Sequence, residues 1–240
     1  MAIVQARMGS SRLPGKVLLD LAGEPMLARV VVRLCRAKTV DAVVVATTVE
    51  PADQAVADLC AARCWPHTRG SEADVLDRYH AAAIEHRADV VVRVTADCPM
   101  IDPAVVDQVV RALLDRLPAI DYASNVVPTR SFPHGLDVEA FTAAALDRAW
   151  REDANPAWRE HVTPYLYRRP DLFRAHCVVH PVDHGAVRWT VDTPADFARA
   201  EAIYKHFGHD RFTWAEALAA DQAHPEWAII NRDVRQRTVD

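Results

Sequence analysis

The 240-residue chain is half hydrophobic and one-quarter charged, a globular composition that argues against disorder and fits one large α/β domain spanning 1–240, with room for an inserted lobe. Its formal net charge of -5 gives no electrostatic basis for broad nucleic-acid binding. No apolar run approaches the roughly 20 residues of a membrane span, and no basic-then-apolar signal segment opens the chain, so a cytoplasmic protein without membrane or nucleic-acid partners is expected.

The chain begins with a short apolar strand, Ala2, Ile3 and Val4, and then the stretch QARMGSSRLPGK (5–16). Its two glycines and lysine look like an ATPase phosphate loop. However, five residues rather than four separate Gly9 from Gly15, and Val17 rather than Ser or Thr follows Lys16. The turn still presents Gly9, Ser10 and Ser11, whose backbone N–H groups can converge on one anion, and Arg12 and Lys16 add charge and directional donors. That combination suits a polyphosphate.

DAVVVATT (41–48) predicts a strand and PADQAVADLCAAR a helix; ADVVVRVT (88–95) and DPAVVDQVVRALLDRL repeat the alternation. Strands this continuously apolar belong in a sheet covered on both faces, so a three-layer, doubly wound, mainly parallel sheet is expected. Ligands of such sheets collect at the C-terminal strand ends, here after Gln5, Ala46 and Val94. The five cysteines (35, 60, 64, 98, 177) show neither CxxC pairing nor a disulfide ladder, and Cys60 and Cys64 read as the buried stripe of a helix. In TADCPMIDP, Asp97 lies just past a strand end, where it is either a turn residue or a metal ligand. Asp102, before Pro103, is the better helix cap.

From about 120 to 185 the pattern changes to strand-like IDYASNVV, GLDVEAF and DLFRAHCVV with helical TAAALDRAWRE and WREHVTPYLYRR between them. This predicts a lobe of antiparallel character that covers the substrate or pairs two subunits. Asp137 and Glu139 share one face of a strand, with solvated edge charges as the simplest explanation. His161 reads as a satisfied histidine, and Arg130, Arg159 and Arg188 as ion-pair partners. RWTVDTPADFARAEAIYKHF then returns to a strand and a helix. Thr193 at the N-cap, Pro194 at the first helical position and Asp196 at the third make a near capping box, which leaves Asp192 free for chemistry. Asp97 and Asp192, at neighbouring strand ends facing the phosphate loop, would complete a magnesium site. A polar tail ends the chain.

Together, IVQARMGSSRLPGK, RGSEADVLDRY, RVTADCP, FPHGLDVEAF, REHVTPYLY, RWTVDTPADF and the C-terminal INRDVRQRT resemble the cytidylyltransferases of the spore coat polysaccharide biosynthesis protein F type, relatives of CMP-sialic acid and CMP-KDO synthetases. The resemblance implies a glycosyltransferase-A-like Rossmann fold and transfer of CMP from CTP to an acidic acceptor, with release of pyrophosphate. It places Ala6, Arg7, Gly9, Ser10, Ser11, Arg12 and Lys16 at the triphosphate, with Arg12 and Lys16 catalytic. Thr47, Thr48, Arg69, Gly70 and Ser71 fall around the base, and Asp97 and Asp192 on Mg2+. His134, Asp137, Glu139, Arg159, His161 and Arg188 face the acceptor, a sugar acid, sugar phosphate or phosphonate, and the middle lobe is expected to form a homodimer. Relatives carry several more residues before the loop, which implies either a start further upstream or a clipped first strand. A phosphonate-specific enzyme of the same fold and a catalytically inactive nucleotide-binding protein remain alternatives. A nucleotide-sugar glycosyltransferase would carry a DxD motif where TADCP has one Asp.

Overall fold

The computed structural model describes residues 1–236; the end of the polar tail, including Arg237 and Thr238 of the last motif, lies outside the described residues. In chain order the elements are β1 (Ala2–Gln5), α1 (Met26–Leu34), β2 (Val43–Thr48), α2 (Gln54–Ala62), β3 (His67–Gly70) and α3 (Val75–Glu85). They continue as β4 (Val90–Thr95), α4 (Pro103–Leu114), β5 (Tyr122–Ser124), β6 (Glu139–Thr142), α5 (Ala143–Glu152), α6 (Pro156–His161) and α7 (Pro164–Tyr167). β7 (Ala175–Cys177), α8 (Pro194–Phe207), α9 (Trp214–Ala223) and α10 (Pro225–Ile230) complete them. No helix among the described residues is long and apolar enough to cross a membrane.

One seven-stranded sheet runs in the order β3-β2-β1-β4-β6-β5-β7. Successive side chains of a strand point to opposite faces, and the two cores follow that alternation. Ala2, Val4, Val92 and Val94 pack with α1, α4 and α8 on one face, whereas Ile3 and Val91 pack with α3 and α5 on the other. These are the three expected layers. β1, although only four residues long, occupies the centre, paired in parallel with both β2 and β4, and Ala2, Ile3 and Val4 are fully buried. Paired on both edges, so short a strand places its backbone in two parallel ladders. The Met1 ammonium also donates to the Val90 carbonyl at 3.0 Å.

The strand-like pieces of 120–185 extend this same sheet. β6 runs antiparallel to both β4 and β5, and β7 is parallel to β5. Three local expectations differ from the structure. Residues 188–192 form no strand; Arg188 makes an isolated bridge with His134, and Val191 N–H donates to the Asp97 carbonyl at 2.8 Å. Single bonds to a loop replace a ladder there, so Asp192 does not sit at a strand end. WREHVTPYLYRR is two short helices, because Val162 adopts φ +70° before Thr163 and Pro164. Cys60 is buried but Cys64 is exposed, since α2 stops at Ala62 and Cys64 turns left-handed at φ +54°. The cap assignments hold: Asp102 accepts from Ala104 N–H, and Thr193 with Asp196 forms a complete capping box.

Candidate active site

Beyond Gln5 the chain makes a loop folded around one residue. The Met8 carbonyl accepts from Ser10 N–H (2.9 Å) and Gly15 N–H (3.0 Å), and Met8 N–H donates to Asp53 Oδ1 at 2.6 Å. The buried Asp53 also accepts a hydrogen bond from the Thr48 hydroxyl, so the end of β2 anchors the loop. Gly15 adopts φ +69°, a conformation natural to glycine, and a 3-10 turn from Lys16 to Leu18 follows. That turn directs the Lys16 side chain inward, under the loop.

There it meets both aspartates. Lys16 Nζ donates to Asp97 Oδ2 at 3.0 Å, to Asp192 Oδ1 at 2.9 Å and to the Val191 carbonyl at 2.7 Å. Arg12 reaches the other oxygen of Asp192 at 3.0 Å. Residues 80 and more positions apart thus share one ammonium. Burial disfavours the Lys16 charge, but Asp97 and Asp192 outweigh it and hold its pKa above that of an ordinary lysine. Burial likewise opposes the Asp97 charge, yet Lys16 and the Thr95 hydroxyl keep its pKa below the usual carboxylate range.

A cleft of about 710 Å³ opens over this cluster. Ala6, Arg7, Gly9, Ser10, Ser11, Arg12 and Lys16 form one side, with Asp97 and Asp192 at the base. Opposite stand Arg93, Arg130, Asp137, Glu139, His161 and Thr163. Asp137 and Glu139 are not solvated edge charges. Asp137 makes a two-pronged pair with Arg130 (2.6 and 2.8 Å), and Glu139, buried on an inner strand, accepts from Arg93, Tyr122 and Thr163. Burial, then Arg93, lowers the His161 pKa, so its imidazole is neutral at neutral pH.

Other sequence-predicted residues do not line this cleft. Arg159 is engaged by Asp74 (2.8 Å) and by the Trp150 and Asp153 carbonyls. Arg188 lies behind Asp192, paired with it and with Asp196, as the ion-pair reading expected. His134 makes its contacts through the backbone, donating to the Val187 carbonyl and accepting from Trp189 N–H. Thr47, Thr48, Arg69 and Gly70 end β2 and β3; Thr48 binds Asp53, and Arg69 binds the Thr48 and Glu50 carbonyls. Ser71 lines a neighbouring hollow of about 790 Å³ that shares Arg7 with the cleft. Asp53 and Arg93 had no local signature: each reads in sequence as an ordinary helix-entry or strand residue.

Residues 1–216 match the sequence profile of the cytidylyltransferases. The chain belongs to the cytidylyltransferase family. It is 33% identical over 213 residues to the spore coat polysaccharide biosynthesis protein SpsF of Bacillus subtilis, covering 86% of each chain. It is 38% identical over 193 residues to the 3-deoxy-manno-octulosonate cytidylyltransferase of Chromohalobacter salexigens, covering 69% of this chain and 72% of that one. The solved structure of a cytidylyltransferase from Leptospira borgpetersenii superposes with a TM-score of 0.91 at 30% identity, covering 99% of this chain and 98% of that one. The three-layer sheet is accordingly the Rossmann-like nucleotidyltransferase fold, and this cytidylyltransferase is an enzyme of that class.

The cytidylyltransferase site has a donor set that fits a hard divalent cation. Mg2+ takes one or two protein carboxylates and completes its shell with phosphate and water oxygens. Asp97 and Asp192 offer carboxylate oxygens to a single point, occupied by the Lys16 ammonium. Among the described residues no group of three or more His, Cys, Asp or Glu could hold a metal, so nucleotide oxygens would have to supply the other ligands.

Proposed function

We propose that this cytidylyltransferase moves CMP from CTP to an acidic acceptor, a sugar acid, sugar phosphate or phosphonate, in a Mg2+-dependent step that releases pyrophosphate. The observation that carries the reading is the convergence of Asp97 and Asp192 on one cationic point beneath the loop of Gly9, Ser10 and Ser11. In the reaction an acceptor oxygen forms a bond to the α-phosphorus in line while the bond to the bridging oxygen of pyrophosphate breaks. Negative charge grows on the bridging and non-bridging oxygens, and the protein's task is to position and neutralise it.

Arg12 and Lys16 would neutralise that charge from the loop side of the cleft. Lys16 holds the two carboxylates together in the free protein, and its long stem lets the ammonium move from carboxylate to phosphate when nucleotide enters. Asp97 and Asp192 would hold Mg2+, which supplies Lewis-acid neutralisation of phosphate oxygens when bound. The acceptor would lie against Arg93, Arg130, Asp137 and His161, where a neutral imidazole and paired guanidiniums can read both hydroxyl and anionic groups.

The test is pyrophosphate release with each of the four nucleoside triphosphates against a panel of sugar acids, sugar phosphates and phosphonates. Release that requires CTP, Mg2+ and one acceptor is the expected result; none with any pair would sink the proposal. Asp97→Ala is expected to lower the rate by about a hundredfold or more while the protein stays folded. Near-normal turnover in that variant would remove Asp97 from the site.

A further inference from the structure

Asp192 is held by a carboxylate four residues away that does more than cap a helix. Oδ2 of Asp196 closes the capping box on Thr193 and also accepts from Asp192 N–H at 3.1 Å. The same carboxylate binds the Arg188 guanidinium on both oxygens (Nε to Oδ1 at 2.9 Å, Nη2 to Oδ2 at 3.1 Å), and that Nη2 donates to Asp192 Oδ2 at 3.0 Å. Asp196 therefore fixes Asp192 at two points, main chain and side chain.

The grip continues inward. Asn231, just past α10, donates from Nδ2 to Asp196 Oδ1 at 2.8 Å, and its Oδ1 accepts from Arg199 at 2.8 Å. Arg199 pairs in turn with Asp221 on α9. Arg188, Asp196, Arg199, Asp221 and Asn231 are all less than a tenth exposed. A capping box needs only one of these oxygens, and buried ion networks add little net stability relative to apolar packing. The network reaches the cleft at Asp192 and, through Arg188, at Gln236.

We propose that Asp196 and Asn231 are positioning residues that, through Arg188, aim the Asp192 carboxylate, so that the C-terminal helices set the affinity of the catalytic cation site. This rests on the reading of Asp97 and Asp192 as cation ligands. Outer partners of metal-binding carboxylates act in this way: they orient the ligand and restrict its alternatives.

The experiment uses Mn2+ as the probe, followed by electron paramagnetic resonance on the full-length protein with a non-hydrolysable CTP analogue. Asp196→Asn keeps one acceptor oxygen for the cap but removes the charge facing Arg188; Asn231→Ala leaves both cap and ion pair intact and serves where the first variant does not fold. Each is expected to weaken Mn2+ binding about tenfold, while affinity for the analogue in chelator and the near-ultraviolet circular dichroism stay those of the wild type. Unchanged Mn2+ affinity overturns the proposal. So does a parallel loss of analogue affinity in chelator, the mark of general loosening. A wild-type protein that binds the analogue but no Mn2+ overturns the cation reading itself, and this proposal with it.

Discussion

Lys16 shows how one side chain can serve stability and chemistry at once. Its Nζ lies within 3.0 Å of both Asp97 and Asp192, and all three side chains are at least three-quarters buried. Removing the ammonium takes the cationic partner from Asp97, while Asp192 keeps Arg12 and Arg188, so Lys16→Met is expected to cost about 3 kcal/mol at pH 7 in urea denaturation. Millimolar Mg2+ should recover part of it. The pH dependence follows from the directions of the two shifts. Asp97 titrates below its ordinary range, so its contribution is present above about pH 4 and is lost as pH falls through the depressed value. Lys16 titrates above its ordinary value, so its contribution is present below about pH 10 and is lost as pH rises through the raised value. The difference between wild type and variant should be flat from about pH 5 to 9 and close in acid; a difference that grows on acidification would contradict the cluster. The identities of Lys16, Asp97 and Asp192 were legible in sequence because each sits in a motif with its own local logic. Asp53 and Arg93 were not, because the contacts that tie Asp53 to the loop at Met8 and Arg93 to Glu139 lie about 45 residues away.

At the scale of elements, the segments around Gly135 and Thr190 must nearly touch for the two halves of the cleft to meet. His134 N–H donates to the Val187 carbonyl, and Trp189 N–H donates to the His134 carbonyl. Gly135 adopts φ +101°, and a Cβ there would lie 2.7 Å from Thr190 N and 2.8 Å from the Trp189 carbonyl carbon. Gly135→Ala is therefore expected to cost about 3 kcal/mol, combining left-handed backbone strain with steric overlap. Because the displaced backbone leads straight to Asp192, kcat should fall with it; a variant with the wild-type melting temperature would refute the contact. This approach also explains what the sequence could not disclose. β2, β4 and α4 announce themselves by apolar runs and periodicity, whereas 188–192 has a strand's composition but is held by isolated bonds to two loops. No local pattern encodes that. The sequence pattern runs α6 and α7 together across Pro164, whereas Val162 between them is fully buried with the α3 and α5 face and adopts φ +70°.

Across the whole molecule, the site lies where the parallel strands β3, β2, β1 and β4 meet the group β6, β5 and β7, at the antiparallel β4–β6 pair. Arg93 and Glu139 are direct register partners across that seam and form an ion pair whose side chains are 15% and 8% exposed. Glu139 also accepts from Tyr122 at 2.5 Å and Thr163 at 2.6 Å, tying β5 and the start of α7 to the same carboxylate. A buried pair of this kind costs desolvation on both charges, so its loss is asymmetric. Glu139→Leu strands the Arg93 guanidinium and should destabilise by about 3 to 5 kcal/mol, whereas Arg93→Met with Glu139→Leu removes both charges and should recover much of that loss. Recovery will stop short of wild type, because the Tyr122 and Thr163 hydroxyls still lose their acceptor. Both proteins should be poor enzymes, since both lack the Glu139 carboxylate on the cleft side opposite the loop. Denaturation and turnover measured side by side then separate the two roles: restored stability without restored activity places the pair in substrate handling. A double variant as unstable as Glu139→Leu alone would instead make the seam's polar network, rather than the stranded charge, the source of the loss.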